Sequence, residues 1–245
     1  MFRRLLPLLI GAVFALPAVA QPEPRSTQQA IQEFCQFLAR QSAFTVEMDI
    51  TYDERLEIGA KVQYSAYQRV ALQKPNRLRS EYVGDERVTT FYYDGQTMTL
   101  QAPNQGYYLT KPAPATLDQL LEQIEDKYGV TLPLSNLWLS DPCQAMTAFA
   151  QNSLYIGADL VEREPQDHIL LVGEDRDVQL WLTQAQPPLL KKVVITYKQL
   201  PGAPQYTAVF SNWNFSPRSA PETFRYTPVK DDIPVEFLPK EGLPD

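Results

Sequence analysis

"FYYDGQTMTLQAPNQGYYLTKPAPATLDQLLEQIEDKYG", residues 91–129, holds the change of period on which the fold turns. Phe91 and Tyr93, then Met98 and Leu100, fall on one face of two short strands. Asp94-Gly95 between them tolerates the positive φ of a primed hairpin turn. Pro112 and Pro114 then remove backbone donors and break the sheet pattern. Beyond them Leu117, Leu120, Leu121, Ile124 and Tyr128 recur at helical spacing, and Gly129 stands where a helix ends. A wall followed by an amphipathic helix is the frame of an apolar container.

Upstream, "STQQAIQEFCQFLARQ" reads as a helix. Ser26 and Gln29 have capping-box spacing, and Ile31, Phe34, Cys35 and Leu38 form one apolar stripe. "AFTVEMDITY" then alternates strictly, with Phe44, Val46, Met48, Ile50 and Tyr52 on its dry face. "AKVQYSAYQRVALQ" keeps Val62, Tyr64 and Ala66 together; after Tyr67 its face becomes ambiguous. "RLRSEYV" and "RVTTFYY" follow across Pro75-Asn76 and Gly84-Asp85, which completes a meander of four or five strands.

Downstream, "SNLWL" reads as a short turn, and Asp141-Pro142 opens another helix carrying Cys143 and Met146. The helical insert is thus expected at residues 115–151. Strands resume in "SLYIGADLVE", "DHILLVG", "DVQLWLT", "LLKKVVITYKQL", "QYTAVFSNWNF" and "TFRYTPV". About eleven antiparallel strands and three amphipathic helices give a mainly β chain with some α. The simplest packing is a strongly curved sheet, an incomplete barrel, with the helices in its concavity.

Residues 1–20 read as a signal peptide: Arg3 and Arg4, an apolar run from Leu5 to Leu16, and "AVA" before a cleavage point after Ala20. Residues 21–245 are then expected to form one exported, periplasmic domain. Loss of two arginines leaves 20 basic against 29 acidic side chains, a net charge near −9. Such a protein gains nothing from general attraction to nucleic acid or anionic lipid heads. Later in the chain no apolar run approaches the roughly 18 residues of a membrane span. Cys35 and Cys143 are the only cysteines, and in an oxidising compartment a disulfide between them is expected. Two distant cysteines and the single histidine, His168, make a metal site improbable.

"YDGQTMTL", "YYLTKPAPATLDQLLEQIEDKYGVTLPLSNL", "DHILLVG", "VQLWLTQAQPPLLKKVVITY" and "PQYTAVFSNW" follow one another in an order that resembles a family of uncharacterised bacterial periplasmic proteins. That family is placed in the LolA/LolB-like superfamily, and the resemblance spans roughly residues 28–238. It implies an open half-barrel whose mouth is covered by a helical lid. LolA and LolB carry lipoprotein acyl chains in that cavity, and RseB-like relatives sense mislocalised lipoproteins. Where the family often reads Cys-Asp-His, this chain has Gln166 before Asp167 and His168, so thiol chemistry at that point is absent.

These readings lead to a ligand cavity. Its expected wall is Met48, Ile50, Tyr52, Tyr64 and Tyr82 from the early strands, with Phe91, Tyr93, Met98 and Leu100. Ile195 and Trp213 complete it from the late strands. The underside of the lid is expected from Leu117, Leu120, Leu121, Ile124, Leu137 and Trp138. Each of these residues also fits an ordinary core, since strands favour aromatics anyway. Arg69, Arg77 and Arg79 are candidates for an anionic head group at the mouth. No G-x-S-x-G, H-E-x-x-H, phosphate-cradling loop or C-x-x-C occurs, so no catalytic residue, cofactor or metal is assigned. The expected protein is a non-enzymatic monomer that shelters a lipid, an acylated ligand or another apolar molecule. Contact with the membrane or an envelope protein would be transient. The alternative is a sensor or scaffold that binds a protein partner and holds nothing inside.

Overall fold

A computed structural model describes residues 26–130 and 132–236; the signal peptide read at residues 1–20 lies outside them. The first helix, α1 (Thr27–Arg40), has the capping box in full: Ser26 accepts from the Gln29 N–H, and the Gln29 side chain accepts from the Ser26 N–H. Its stripe of Ile31, Phe34, Cys35 and Leu38 is buried. At its far end the Lys74 ammonium donates to the Leu38 and Ala39 carbonyls, which have no partner within the helix.

Six strands follow in a meander: β1 (Ala43–Arg55), β2 (Lys61–Gln73), β3 (Arg77–Gly84), β4 (Val88–Tyr93), β5 (Thr97–Ala102) and β6 (Tyr107–Pro112). Helices α2 (Leu117–Tyr128) and α3 (Pro142–Thr147) come next, with a 3-10 turn at Ser135–Trp138 between them. Five more strands complete the wall: β7 (Ala150–Val161), β8 (Glu164–Gly173), β9 (Arg176–Thr183), β10 (Leu190–Tyr197) and β11 (Gln205–Asn214). The last, β12 (Ile233–Pro234), is a two-residue strand.

All twelve strands belong to one sheet in the order β12-β6-β5-β4-β3-β2-β1-β11-β10-β9-β8-β7. The late strands therefore join the early ones through β1 and β11, with Met48 opposite Phe210 and Ile50 opposite Ala208. Pairing is antiparallel except for β12, which lies parallel to β6. The edges β12 and β7 do not meet, so the sheet is an open, curved wall and not a closed barrel. Its concave face and the helices share one core, from Phe34 and Leu38 of α1 through Phe44 and Met48 to Leu120 of α2.

"TFRYTPV" does not form the strand that its alternation suggested. Pro221–Phe224 is a 3-10 turn, and the chain after it is irregular. Phe224 is buried, and Tyr226 packs its ring against Tyr92 and Tyr108. Alternate residues of this tail thus cover the outer face of the sheet instead of joining its ladder. Pro221 and Pro228, which lack an N–H, suit that role better than a central strand.

Candidate functional site

Helix α2 is fixed over the concavity at its N-terminal end. Thr116 caps its start, and Gly129 ends it in the left-handed conformation at φ 64°. The Leu117 N–H donates to the Pro75 carbonyl, 3.0 Å away in the β2–β3 turn. The Asp118 carboxylate accepts from the Ser140 N–H at 3.0 Å. The proline joint ahead of the helix is held from below, where the Tyr93 hydroxyl donates to the Pro114 carbonyl at 2.7 Å. Burial, with Asp94 nearby, pushes the Tyr93 phenol up to about 12, so it stays a donor at any physiological pH.

Two clefts flank this lid. The smaller, about 480 Å³, lies toward the β1–β6 half of the sheet. Leu78, Phe91, Met98, Leu100 and Leu109 line its floor, with Tyr82 and Tyr206 beside them. The larger, about 680 Å³, lies toward β8–β10, floored by Leu171, Val178, Leu180, Leu190 and Val193 and walled by Leu137, Met146 and Phe149. Leu121, Ile124, Val130, Leu132, Pro133 and Tyr197 line both. Each volume falls in the roughly 300–1,000 Å³ range of small-molecule sites.

Polar groups gather at one end of the smaller cleft. Tyr52 donates to the Glu86 carboxylate. Burial first, then that bond, drives the Tyr52 phenol far above its ordinary value. Burial would raise the carboxyl of Asp53, yet Lys61 at 2.9 Å and the Gln205 N–H at 3.0 Å hold it below the usual range. The Arg87 guanidinium lies 5.2 Å over the Tyr82 ring. Tyr206 is raised by burial, with Tyr82 and Tyr197 as lesser causes. At the larger cleft, Asp118, Glu122, Glu125, Asp126 and Asp175 line the space along with Arg176.

Of the residues expected in the wall, Tyr52, Tyr82, Phe91, Met98 and Leu100 line the smaller cleft and Ile195 the larger. Met48, Ile50 and Tyr93 are packed inside the core. Tyr64 sits beside Tyr52, ring centres 5.7 Å apart. Trp213 stacks with Phe210 and Phe215 and donates to the Leu190 carbonyl. From the lid, Leu121 and Ile124 line both clefts, Leu137 the larger and Trp138 the smaller; Leu117 and Leu120 are buried against the sheet.

None of the three arginines named for a head group lines a cleft. Arg69 lies 3.9 Å from Glu47, and Arg79 pairs with Glu81 and covers the Tyr92 ring on the outer face. Arg87 lines the smaller cleft instead, from the β3–β4 turn, where no alternation marks a facing side. Tyr206, which alternates with Ala208 and Phe210, also lines the smaller cleft, whereas the expected wall held only Trp213 of that strand.

The expected disulfide is present. Cys35 of α1 and Cys143 of α3 are bonded, with Cα atoms 5.1 Å apart. His168 is on the outer face, stacked on Trp181 at 4.1 Å with a ring nitrogen 3.1 Å from Gln179. Among the described residues no group of three or more His, Cys, Asp or Glu side chains is placed to hold a metal ion. No described helix is long and apolar enough to cross a membrane.

The architecture is an open, mainly antiparallel half-barrel roofed by helices over two clefts. Residues 27–238 match the family described as predicted periplasmic protein (DUF2092), and the chain belongs to that family of the periplasm. No curated protein matches the chain. Three solved structures show what it is similar to. An uncharacterized conserved protein from Thermus thermophilus is 9% identical over 86% of this chain and 99% of its own, with a TM-score of 0.49. The lipoprotein LppX of Mycobacterium tuberculosis is 12% identical over 78% and 97%, TM-score 0.39. A LolA superfamily protein from Nitrosomonas europaea is 14% identical over 83% and 99%, TM-score 0.37.

Proposed function

We propose that this protein is a non-enzymatic periplasmic binding protein that shelters a lipid, an acyl chain or another apolar ligand between sheet and lid. The supporting observation is the smaller cleft: about 480 Å³ floored mainly by aliphatic and aromatic side chains beneath α2, with Tyr52, Asp53 and Arg87 gathered at one end and Gln68 and Ser80 hydrogen-bonded to each other in its wall. A hydrocarbon chain placed there leaves water without any covalent step, and each buried CH₂ contributes about 0.8 kcal/mol. The polar end gives an amphiphile's head somewhere to remain hydrated.

A second reading, a scaffold or sensor that binds a protein partner, is favoured by one feature. Edge strand β7 exposes Leu154, Ile156 and Leu160, and among the described residues no further strand covers its outer edge. Exposed apolar edges are places where another chain can add.

Native mass spectrometry of protein purified gently from periplasm, followed by organic extraction, separates the two. A stoichiometric lipid or acylated peptide supports the carrier. A bare mass that stays bare when lipids are offered sinks it and directs attention to β7.

A further inference from the structure

We infer that the ligand has two apolar arms joined at one polar point, and that the arms straddle the lid. The inference rests on the binding reading above and specifies its ligand. The two clefts are not separate pockets at distant places. The same six residues, Leu121, Ile124, Val130, Leu132, Pro133 and Tyr197, line both, so the two clefts share a wall. All but Tyr197 belong to α2 and the segment after it, which makes the lid a partition as well as a roof.

Both sides offer an apolar floor, and the larger cleft adds Asp118, Glu122, Glu125, Asp126, Asp175 and Arg176 to its lining. Phe91, Leu100 and Leu109 lie on one side; Leu171, Val178 and Val193 on the other. A single chain fills one floor and leaves the other apolar surface facing water. A second chain tethered to the first fills that floor without a second loss of translational freedom. Linking two modest binding events in this way raises retention by roughly 10²- to 10⁴-fold. The junction is marked too. Val130 and Leu132, both in the partition, are 39% and 38% exposed, so the dividing ridge reaches the surface where the two arms would meet.

The test keeps the head group constant and varies the number of chains. The mature protein is incubated with palmitoyl-lysophosphatidylcholine or with dipalmitoyl-phosphatidylcholine vesicles, re-isolated by gel filtration and weighed by native mass spectrometry. Wild type should retain two one-chain lipids or a single two-chain lipid. Leu100→Trp fills only the smaller cleft and Leu139→Trp only the larger; both positions are at least partly exposed, and far-ultraviolet circular dichroism checks each fold. Either variant should hold one one-chain lipid and retain the two-chain lipid at least 10-fold less well, from the tethering gain. A wild type saturating at one one-chain lipid overturns the two-arm inference and leaves the binding reading intact. So does undiminished two-chain retention in either variant. If wild type retains neither lipid, the binding reading itself fails, and this inference with it.

Discussion

Asp94 shows how much one turn residue can hold. One carboxylate oxygen accepts from the Gln96 N–H at 3.0 Å, the Thr97 N–H at 2.8 Å and the Thr97 hydroxyl at 3.2 Å. The other accepts from the Arg225 Nε at 2.8 Å, which ties the β4–β5 turn to the C-terminal tail. Burial alone would raise this carboxyl; the Thr97 N–H, Arg225 and Gln96 outweigh it and hold it below the usual range. A depressed folded value adds stability above the unfolded value of about 3.9 and loses it as pH falls through the folded one. Asp94→Asn should therefore cost about 1–3 kcal/mol at neutral pH. In urea titrations its gap from wild type should shrink steadily toward pH ~3. A gap independent of pH would show that charge plays no part. The sequence made the turn legible, because Asp-Gly needs only local rules. Gly95 does take positive φ, at 87°. The bond to Arg225, 131 positions away, has no local pattern to announce it.

At the scale of elements, helices were legible because their caps and their 3.6-residue period are written in consecutive residues. What the period does not tell is whether a side chain meets packed atoms or open space. Leu120 and Leu121 are neighbours on α2, both aliphatic. Leu120 is fully buried against the sheet, whereas Leu121 is half-buried and lines both clefts. Leu120→Ala should cost about 2–5 kcal/mol through lost burial and a residual void. Leu121→Ala should cost well under that, because a cleft-lining side chain has fewer contacts to lose, and should alter lipid retention instead. Chemical denaturation beside native mass spectrometry separates the pair. Equal destabilisation by both would mean that the clefts close in solution. The tail misled for the mirror-image reason: Phe224 and Tyr226 alternate as in a strand because they pack onto one, not because they pair with one.

The whole molecule depends on contacts that no segment of sequence contains. The early meander could be read strand by strand, but the pairing of β1 with β11 joins residues more than 150 positions apart, such as Ile50 and Ala208. That join, not any local pattern, decides that both halves share one concave face and that two clefts lie under one lid. The Cys35–Cys143 bond acts over the same range, with 108 positions between its ends. It fastens α1, packed at one end of the concavity, to α3, whose Met146 walls the larger cleft. In the chain-entropy model a loop of this size restrains the unfolded chain by about 4–5 kcal/mol. At about 2–4 °C per kcal/mol for a chain of this length, Cys35→Ser with Cys143→Ser should lower Tm by roughly 8–20 °C. The same double variant should loosen α3 and the turn before it, so amide exchange at Leu137 and Met146 should quicken more than at Leu78 or Phe91 on the opposite side. Thermal scans and hydrogen exchange on oxidised wild type and the variant measure both effects. A Tm drop with uniform exchange would make the bond a restraint on the unfolded chain alone; faster exchange confined to the α3 side would make it a stay on the larger cleft as well.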